Sequence, residues 1–194
     1  MGYLNGQISK DYPALTGVGT SVGDLEFFGS AIPTVYGSFI NSFSYKNISM
    51  DIGITYKLGY YFRRSSINYT SLFNSWTGHS DYAYRWQKEG DEALTNVPSN
   101  TFQSDANRDA FYNGSSVLVE KGDHIRLQYI NLTYQFDKNL FQSKIFENLS
   151  VFVNLSNLGL LWKANKSGID PDFNLGGNGL KPPSVYTVGL RAKF

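Results

Sequence analysis

The sequence predicts an all-β protein, namely a segment of an antiparallel transmembrane β-barrel with about five long strands and long extracellular loops. Three observations lead to this prediction. Apolar and polar residues alternate with period two in several segments, aromatic residues make up 16% of the chain, and short and long connections alternate. Tyr and Phe favour strands, whereas the 19 glycines, with Asn and Ser, favour turns.

Composition and charge exclude several classes of protein. The 194 residues carry 17 Lys and Arg against 16 Asp and Glu, and this balance does not suit a general nucleic-acid binder. The lack of Cys excludes thiolate catalysis, disulfides and Cys-based zinc sites. Mean hydropathy is −0.30 and no run of about 18 apolar residues occurs, so no transmembrane helix is predicted. The first residues show no charged region followed by an apolar one, so no secretory signal is predicted either.

The first part of the chain is expected to contain a loop and two strands. Residues 1–34 are typical of a loop because Gly, Ser, Thr and Asp recur there with two prolines. Residues 36–45 form a predicted strand, followed by a tight connection at Lys46 and Asn47. The clearest strand covers residues 48–63, with apolar residues on one face and Asp, Lys and Arg on the other. This pattern suits a strand that faces lipid on one side and water on the other.

The second part is expected to contain one long loop and three more strands. Residues 64–122 are too long for an ordinary structureless connection, which indicates a functional loop with helical parts near residues 71–76 and 81–87. Alternating patterns predict strands at 124–136, 149–156 and 186–194. The links at 46–47 and 137–147 are short or moderate, whereas those at 63–122 and 157–184 are long. An outer-membrane barrel shows this asymmetry between its two ends.

Five strands are too few for a closed barrel, since single-chain bacterial barrels begin at about 8 strands. An open sheet in lipid would leave backbone groups unpaired at both edges. The chain is therefore expected to form part of something larger. The alternative is a soluble β-sheet carbohydrate-binding module, in which a second sheet would cover the apolar face, and an enzyme is the least favoured class.

A series of short motifs runs in order through nearly the whole chain. The first strand contains Gly29, Pro33, Tyr36 and Gly37, followed by Asn41, Phe43, Tyr45 and Lys46. The long loop and the next strand contain Tyr84-Arg85-Trp86, Gly90-Asp91, Pro98 and the segment from Gly122 to Tyr134. Later motifs are Asn157-Leu158, Gly168-Ile169-Asp170-Pro171 and the final segment from Tyr186 to Phe194. The ordered set resembles the C-terminal portion of the SusC/RagA family of TonB-dependent outer-membrane transporters from Bacteroidetes.

The resemblance implies a location in the cell outer membrane and a role in import. It implies that residues 1–194 are the C-terminal part of a plugged barrel of about 22 strands, without the plug domain. It also implies TonB-dependent uptake of oligosaccharides or peptides, with no cofactor. The implied partners are a SusD-like surface lipoprotein, the TonB complex acting through the absent plug, the remaining barrel strands and the lipid bilayer.

Four aromatic residues of the long loop are candidate ligand contacts: Trp76, Tyr82, Tyr84 and Trp86. Aromatic faces stack on sugar rings and anchor protein interfaces, although they also pack short helices together. Six charged residues are expected to face the barrel interior, where they line the wall or pair with the plug: Asp51, Lys57, Arg63, Arg126, Arg191 and Lys193.

No catalytic or metal site is predicted. His79 and His124 lack the spacing of zinc ligands, and no nucleophile or phosphate-binding motif occurs. Asp170, Asp172 and Asn174, followed by Gly176 and Gly177, loosely suggest calcium. A polar turn is favoured there, because the Glu that closes a calcium loop is missing.

The last residues resemble the signal that the barrel-assembly machinery reads. Tyr186, Val188, Leu190 and Phe194 fall on the apolar face of the final strand, and Phe194 ends the sequence. The alternative is an ordinary edge strand. If the signal is real, deletion of Phe194 from the full-length parent should lower the amount of membrane-inserted protein.

Overall fold

The computed structural model describes residues 2–17, 20–137, 147–174 and 180–194. In chain order, the strands are β1 (Gly2–Leu4), β2 (Gln7–Ser9), β3 (Val35–Tyr45), β4 (Ile48–Leu58), β5 (Tyr61–Arg63), β6 (Val119–Lys121), β7 (His124–Gln135), β8 (Asn148–Lys163) and β9 (Val185–Lys193). The α-helices are α1 (Tyr12–Thr16), α2 (Tyr69–Ser75) and α3 (Ala106–Gly114). Short 3-10 helices lie at Val22–Asp24, Ser80–Tyr84, Asp91–Ala93, Ser116–Leu118 and Pro171–Phe173.

The main element is a five-stranded sheet in the order β3-β4-β7-β8-β9, and every neighbouring pair is antiparallel. The predicted all-β antiparallel fold class is confirmed. The other two sheets of the described residues have two strands each, β1-β2 and β5-β6. Of the described helices, none is long and apolar enough to cross a membrane.

The chain divides into two compact units. We call Gly29–Phe62 with Lys121–Phe194 the sheet unit, and Met1–Phe28 with Arg63–Glu120 the loop unit. The loop unit has a small hydrophobic core of Ile67, Tyr69, Val97, Tyr112 and Leu118. The sheet unit contains the five-stranded sheet.

The strand register places most of the apolar side chains on one face of the five-stranded sheet and most of the polar ones on the other. Ile52, for example, pairs with Ile130 on β7, and Ile130 pairs with Leu155. Asn41, the partner of Ile52 on β3, is a polar exception on the apolar face. We define the apolar face by Phe39, Phe43, Ile48, Met50, Ile52, Ile54, Tyr56, Ile130, Leu132, Tyr134, Leu149, Val151, Val153, Leu155, Tyr186, Val188 and Leu190. The polar face carries Ser42, Asp51, Lys57, His124, Arg126, Asn131, Thr133, Asn154, Thr187, Arg191 and Lys193.

Among the described residues of the sheet unit, none form a layer that covers the apolar face. Phe39 is 56% exposed, Val188 is 72% exposed and Leu190 is 65% exposed. The most buried side chains of this unit instead include His124, at 1%, and Arg126, at 5%. A water-soluble domain buries its apolar side chains, so this arrangement requires an apolar environment outside the sheet.

The connections at the two ends of the sheet differ in length, as predicted. At one end Lys46 and Asn47 connect β3 to β4, and the Asn47 carbonyl accepts a hydrogen bond from the Gln135 backbone NH, so β7 ends there too. Residues 138–146, in the predicted moderate link, lie outside the described residues, as do Gly176 and Gly177. The long connections leave from the opposite end, where Lys57 pairs with His124 and His124 pairs with Lys163.

The predicted strand at 48–63 is wrong in one respect, because it is interrupted after Leu58. Gly59 has φ of +74°, in the left-handed region that favours glycine. The Asp123 carboxylate accepts hydrogen bonds from the backbone NH groups of Gly59 (2.7 Å) and Tyr60 (3.4 Å). The apolar alternation continues through the break at Tyr60 and Phe62, so the pattern alone gave no sign of it.

Three other features of the secondary structure differ from the predictions. Strand β8 continues to Lys163, seven residues beyond the predicted end, and the residues that follow Ser156 include Asn157, with φ of +55°. Residues 1–34 contain β1, β2 and α1 in addition to loops. Helix α3 was not predicted, because its sequence mixes Asn, Arg, Asp and aromatic residues without a clear apolar stripe.

Aromatic rings lie over glycines on neighbouring strands of the sheet. Tyr129 pairs with Gly53 and Phe152 pairs with Gly189. A Cβ placed on either glycine would lie less than 3.0 Å from the opposite ring. Each glycine therefore provides the space in which its partner ring lies flat along the strand, an arrangement that pins strand register.

We predict that Gly53→Ala destabilises the sheet by about 1–3 kcal/mol, the cost of overpacking a well-packed site. Gly114→Ala is the matched control, because a Cβ there would meet nothing within 4 Å and Gly114 needs no positive φ. The measurement is the free energy of unfolding in urea of the protein in detergent. Equal values for both variants would contradict the proposed role of the pair.

Candidate functional site

Five ionisable side chains meet at the long-loop end of the polar face, and we call them the ion cluster: Lys57, His124, Arg126, Asp170 and Asp172. Lys57 lies near the end of β4 and is the register partner of His124 on β7. Arg126 follows two residues after His124 and so shares its face. The two carboxylates come from the turn Asp170-Pro171-Asp172, where the Asp170 side chain accepts a hydrogen bond from the Asp172 backbone NH.

The carboxylate of Asp172 contacts three cationic side chains. Its Oδ1 lies 2.7 Å from Lys57 Nζ, and its Oδ2 lies 3.1 Å from His124 Nε2 and 3.1 Å from Arg126 Nη2. Arg126 Nη2 also donates to Asp170 Oδ1 at 2.5 Å. The second oxygen of Asp170 is buried and has no hydrogen-bond partner among the described residues.

Burial makes the ion cluster electrostatically strong. The side chains of His124 and Arg126 are 1% and 6% exposed, so water screens their interactions little. Hydrogen bonds from His124 and then Lys57 hold the pKa of the Asp172 carboxyl well below its usual range, against the opposing effect of burial. Burial, aided by the nearby Asp172 and Asp123 carboxylates, raises the pKa of Tyr60 to about 12.

Lys57 and Arg126 were expected to line the wall or pair with a plug domain. Both lie on the polar face, and both are paired with carboxylates of the same chain. The sequence offered one signal for this outcome, the two carboxylates of the Asp-Pro-Asp turn. Their partners depend on the path of the β8–β9 connection, which the sequence pattern does not give. Asp170 caps the short 3-10 helix Pro171–Phe173, and the preference for a polar turn over a calcium site stays a prediction.

Polar residues, only some of them charged, continue the polar face towards the short-turn end. Ser42 donates a hydrogen bond to Asp51 at 2.5 Å. In the register of the sheet, Asp51 lies opposite Asn131, Asn131 opposite Asn154, and Asn154 opposite Thr187. Hydrogen-bonding side chains therefore span all five strands at one level. At the short-turn end, Lys193 pairs with Glu147 at 2.8 Å.

The four predicted aromatic ligand contacts lie in the loop unit in different surroundings. Tyr82 packs on the hydrophobic core, with its ring 6.3 Å from that of Tyr69 and the Arg85 guanidinium 4.1 Å away. Trp86 donates from Nε1 to Glu92 at 3.0 Å. Trp76 is 90% exposed and Tyr84 is 68% exposed. Tyr82 and Trp86 thus help to hold the loop unit together, whereas Trp76 and Tyr84 are available for contact with a ligand.

The loop unit also contains a buried carboxylate that sequence reasoning missed. Asp109 on α3 is 3% exposed and accepts hydrogen bonds from the backbone NH (2.7 Å) and hydroxyl (2.8 Å) of Thr70 at the start of α2. These two hydrogen bonds fix the position of α2 relative to α3. Asp109 lies in a helix that was itself not predicted, so no pattern singled it out.

The predicted assembly signal lies on strand β9 at the edge of the sheet. Tyr186, Val188 and Leu190 are on the apolar face and exposed, and Phe194 is exposed after the strand ends. Three of the four residues therefore lie on the apolar face of the strand, and the assembly role stays a prediction. In the described part of the chain, no group of three or more His, Asp or Glu residues is arranged to hold a metal ion.

Comparison with known proteins gives both a sequence relative and structural neighbours. No known protein-family model matches the chain. TonB-dependent receptor P26 of Formosa agariphila is 29% identical over 205 residues, an alignment that covers 90% of this chain and 18% of the receptor. The RagAB peptide importer in the open-open state matches with a TM-score of 0.62 at 21% identity, covering 96% of this chain and 20% of that one. The RagAB peptide importer in the closed-closed state matches with a TM-score of 0.63 at 22% identity, and the match covers 90% of this chain and 19% of the importer chain.

The resemblance to SusC/RagA-type TonB-dependent transporters is confirmed. The chain spans about a fifth of the length of these relatives. In a transmembrane β-barrel, the apolar face of such a sheet meets lipid and its polar face meets the barrel interior. The predicted outer-membrane location is confirmed with it.

We predict that the Asp172 carboxyl titrates below the ordinary carboxyl pKa of 3.8. Because its pKa is lowered in the folded state, the carboxylate stabilises the fold above pH 3.8, and this contribution is lost as the pH falls through the folded-state value. The measurement is carbon NMR of the side-chain carboxyls during acid titration, with the Asp172→Asn variant to assign the signal. Titration at the ordinary value would contradict the ion cluster.

Proposed function

We propose that this chain forms part of the wall of a TonB-dependent outer-membrane importer of peptides or oligosaccharides. The observation that carries the proposal is the sheet with an exposed apolar face and a polar face that buries charge. An open sheet of this kind suits lipid on one side and a water-filled or plugged interior on the other. The similarity to a TonB-dependent receptor and to the RagAB importer supports nutrient import as the general function.

The soluble carbohydrate-binding module is the weaker alternative. It needs a second sheet to cover the apolar face, and the remaining sheets of the described residues have only two strands each. An enzyme also remains unsupported, since the relatives are a receptor and an importer. The name of the RagAB relative refers to peptides, which supports peptides as one of the two substrate classes.

The proposed partners follow from the same relatives. Strands β3 and β9 are the edges of the five-stranded sheet, and their unpaired backbone groups require further strands in lipid. A surface lipoprotein of the SusD kind is proposed as the outer partner, because RagA is associated with such a lipoprotein in RagAB. Energy would come from the TonB complex acting through a plug domain.

We infer that Trp76 and Tyr84, the two exposed members of the four predicted aromatic contacts, contact the substrate. Trp76 follows α2 with φ of +54°, which places a large ring at a helix end with almost no contacts of its own. Tyr84 ends a 3-10 helix and is also exposed. Flat aromatic surfaces that lose little conformational entropy on binding are effective anchors for both peptides and sugars. Tyr82 and Trp86 would act by supporting this surface.

We expect Trp76→Ala and Tyr84→Ala to lower substrate binding about tenfold, equivalent to about 1.4 kcal/mol, without lowering thermal stability. The measurement is binding of fluorescent peptide and oligosaccharide libraries by cells that express the transporter containing this chain. Phe27→Ala is the matched control, since Phe27 is an exposed aromatic residue of the same unit. Tyr82→Ala should lower stability as well as binding. Unchanged binding in both test variants would reject the role of these rings.

A further inference from the structure

Three cations of the sheet converge on one carboxylate of the same chain. Lys57, His124 and Arg126 are positioned by the register of two adjoining strands. Asp172 comes instead from a turn in the connection between β8 and β9. The cations thus form a fixed cradle, and the carboxylate that occupies it belongs to a separate segment.

The cradle has the geometry of a carboxylate-binding site. One oxygen of Asp172 receives Lys57, and the other receives both His124 and Arg126. All three donors are charged side chains directed at one carboxylate, and charge-assisted hydrogen bonds of this kind are the strong ones. A carboxylate from another molecule could make the same set of contacts.

Hydrogen-bonding groups face both ring nitrogens of His124. Its Nε2 faces the Asp172 carboxylate at 3.1 Å, and its Nδ1 faces the carbonyl oxygen of Gly122 at 2.8 Å. The Tyr60 hydroxyl lies 3.2 Å from Nδ1, and the Asp123 carboxylate accepts hydrogen bonds from the backbone of Gly59 and Tyr60. These contacts fix the ring so that Nε2, together with the side chains of Lys57 and Arg126, is directed at the occupant of the site.

The segment that carries Asp172, residues 164–174, lies over the cradle and is called the strap. Its other described attachments are weaker or neutral. Lys163 donates to the Ile169 carbonyl at 3.4 Å, the Ala164 backbone NH donates to the Asp123 carbonyl, and Arg126 lies 5.3 Å from the Phe173 ring. Asp170 adds one ion pair with Arg126. The ion pairs that join the strap to the cradle are thus those of its two carboxylates.

We propose that Lys57, His124 and Arg126 form a carboxylate-binding site on the polar face, which the chain's own Asp172 occupies until an external carboxylate replaces it and the strap lifts. The exchange is feasible because the external carboxylate replaces Asp172 alone, while Asp170 keeps its ion pair with Arg126. Both states keep the cations paired, so neither carries the large cost of a buried, unpaired charge. The ligand class is a carboxylate, as found at a peptide C terminus, on an acidic side chain or on an acidic sugar. The site concerns binding alone and does not depend on the proposed import.

The test measures whether a free carboxylate opens the strap. The probe is N-acetyl-aspartate, and N-acetyl-asparagine at matched ionic strength is its neutral control. In the transporter held in lipid nanodiscs, the probe is expected to increase hydrogen exchange of residues 164–174 in a saturable manner. In Asp172→Asn, which removes the competing negative charge from the cradle, the probe should bind at least tenfold more tightly than in the unmodified protein.

Two lysine variants separate the cradle from general charge effects. Lys57→Gln should weaken probe binding about tenfold, and because this side chain is 43% exposed the sheet should tolerate the change. Lys193→Gln is the matched control, since Lys193 is a polar-face lysine paired with Glu147 at the opposite end of the sheet. No strap opening in the unmodified protein would overturn the proposal even if a variant failed to insert. An equal effect of N-acetyl-asparagine or of added salt would also overturn it.

Discussion

Each strand of the five-stranded sheet has to satisfy two different environments, because successive side chains point to opposite sides. On β4 and β7, isoleucine, leucine and methionine point to one side, while Asp, Lys, His and Arg point to the other. No packing within the sheet unit removes this conflict, so the apolar side chains stay exposed. The membrane resolves it, since lipid takes the place of a core. The need to satisfy two different environments accounts for three further features of the sheet. These are the edge strands, the difference between the two ends of the sheet and the charge buried on the polar face.

Burying charge on the polar face is possible only if each charge finds a partner. At the long-loop end the chain provides these partners through the Asp170-Pro171-Asp172 turn, whereas the Lys193–Glu147 pair at the other end is exposed. At the long-loop end this pairing also folds a connection back onto the sheet. If the sheet is the wall of a transporter, as proposed, a loop held to it by ion pairs lies where a passing ligand can compete for those pairs. Structural stability and ligand binding would then depend on the same five side chains.

The sequence predicted the strands well and the loops poorly, for a physical reason. Period-two alternation is local, so β4, β7 and β9 and the tight turn at Lys46 and Asn47 could be found from neighbouring residues alone. The break at Gly59 could not be predicted, because the apolar pattern runs through it. The left-handed conformation of Asn157 within β8 could not be predicted either, because it depends on where the chain returns at Pro183 and Ser184. The ion cluster joins residues more than 100 positions apart, as with Lys57 and Asp172, and only the folded chain brings them together. Of the four aromatic candidates, the sequence could not tell the packed Tyr82 from the exposed Trp76.

The central claim, that one face of the sheet meets lipid and the other meets water, can be tested along β7. The chain has no Cys, so single cysteines at positions 130 to 134 can each carry one nitroxide spin label. Electron paramagnetic resonance then compares collisions with oxygen, which concentrates in lipid, and with a water-soluble nickel chelate. The account predicts that labels at Ile130, Leu132 and Tyr134 collide mainly with oxygen, whereas a label at Asn131 or Thr133 is shielded from lipid. Equal oxygen collisions at all five positions, or nickel collisions at Ile130, Leu132 and Tyr134, would contradict it.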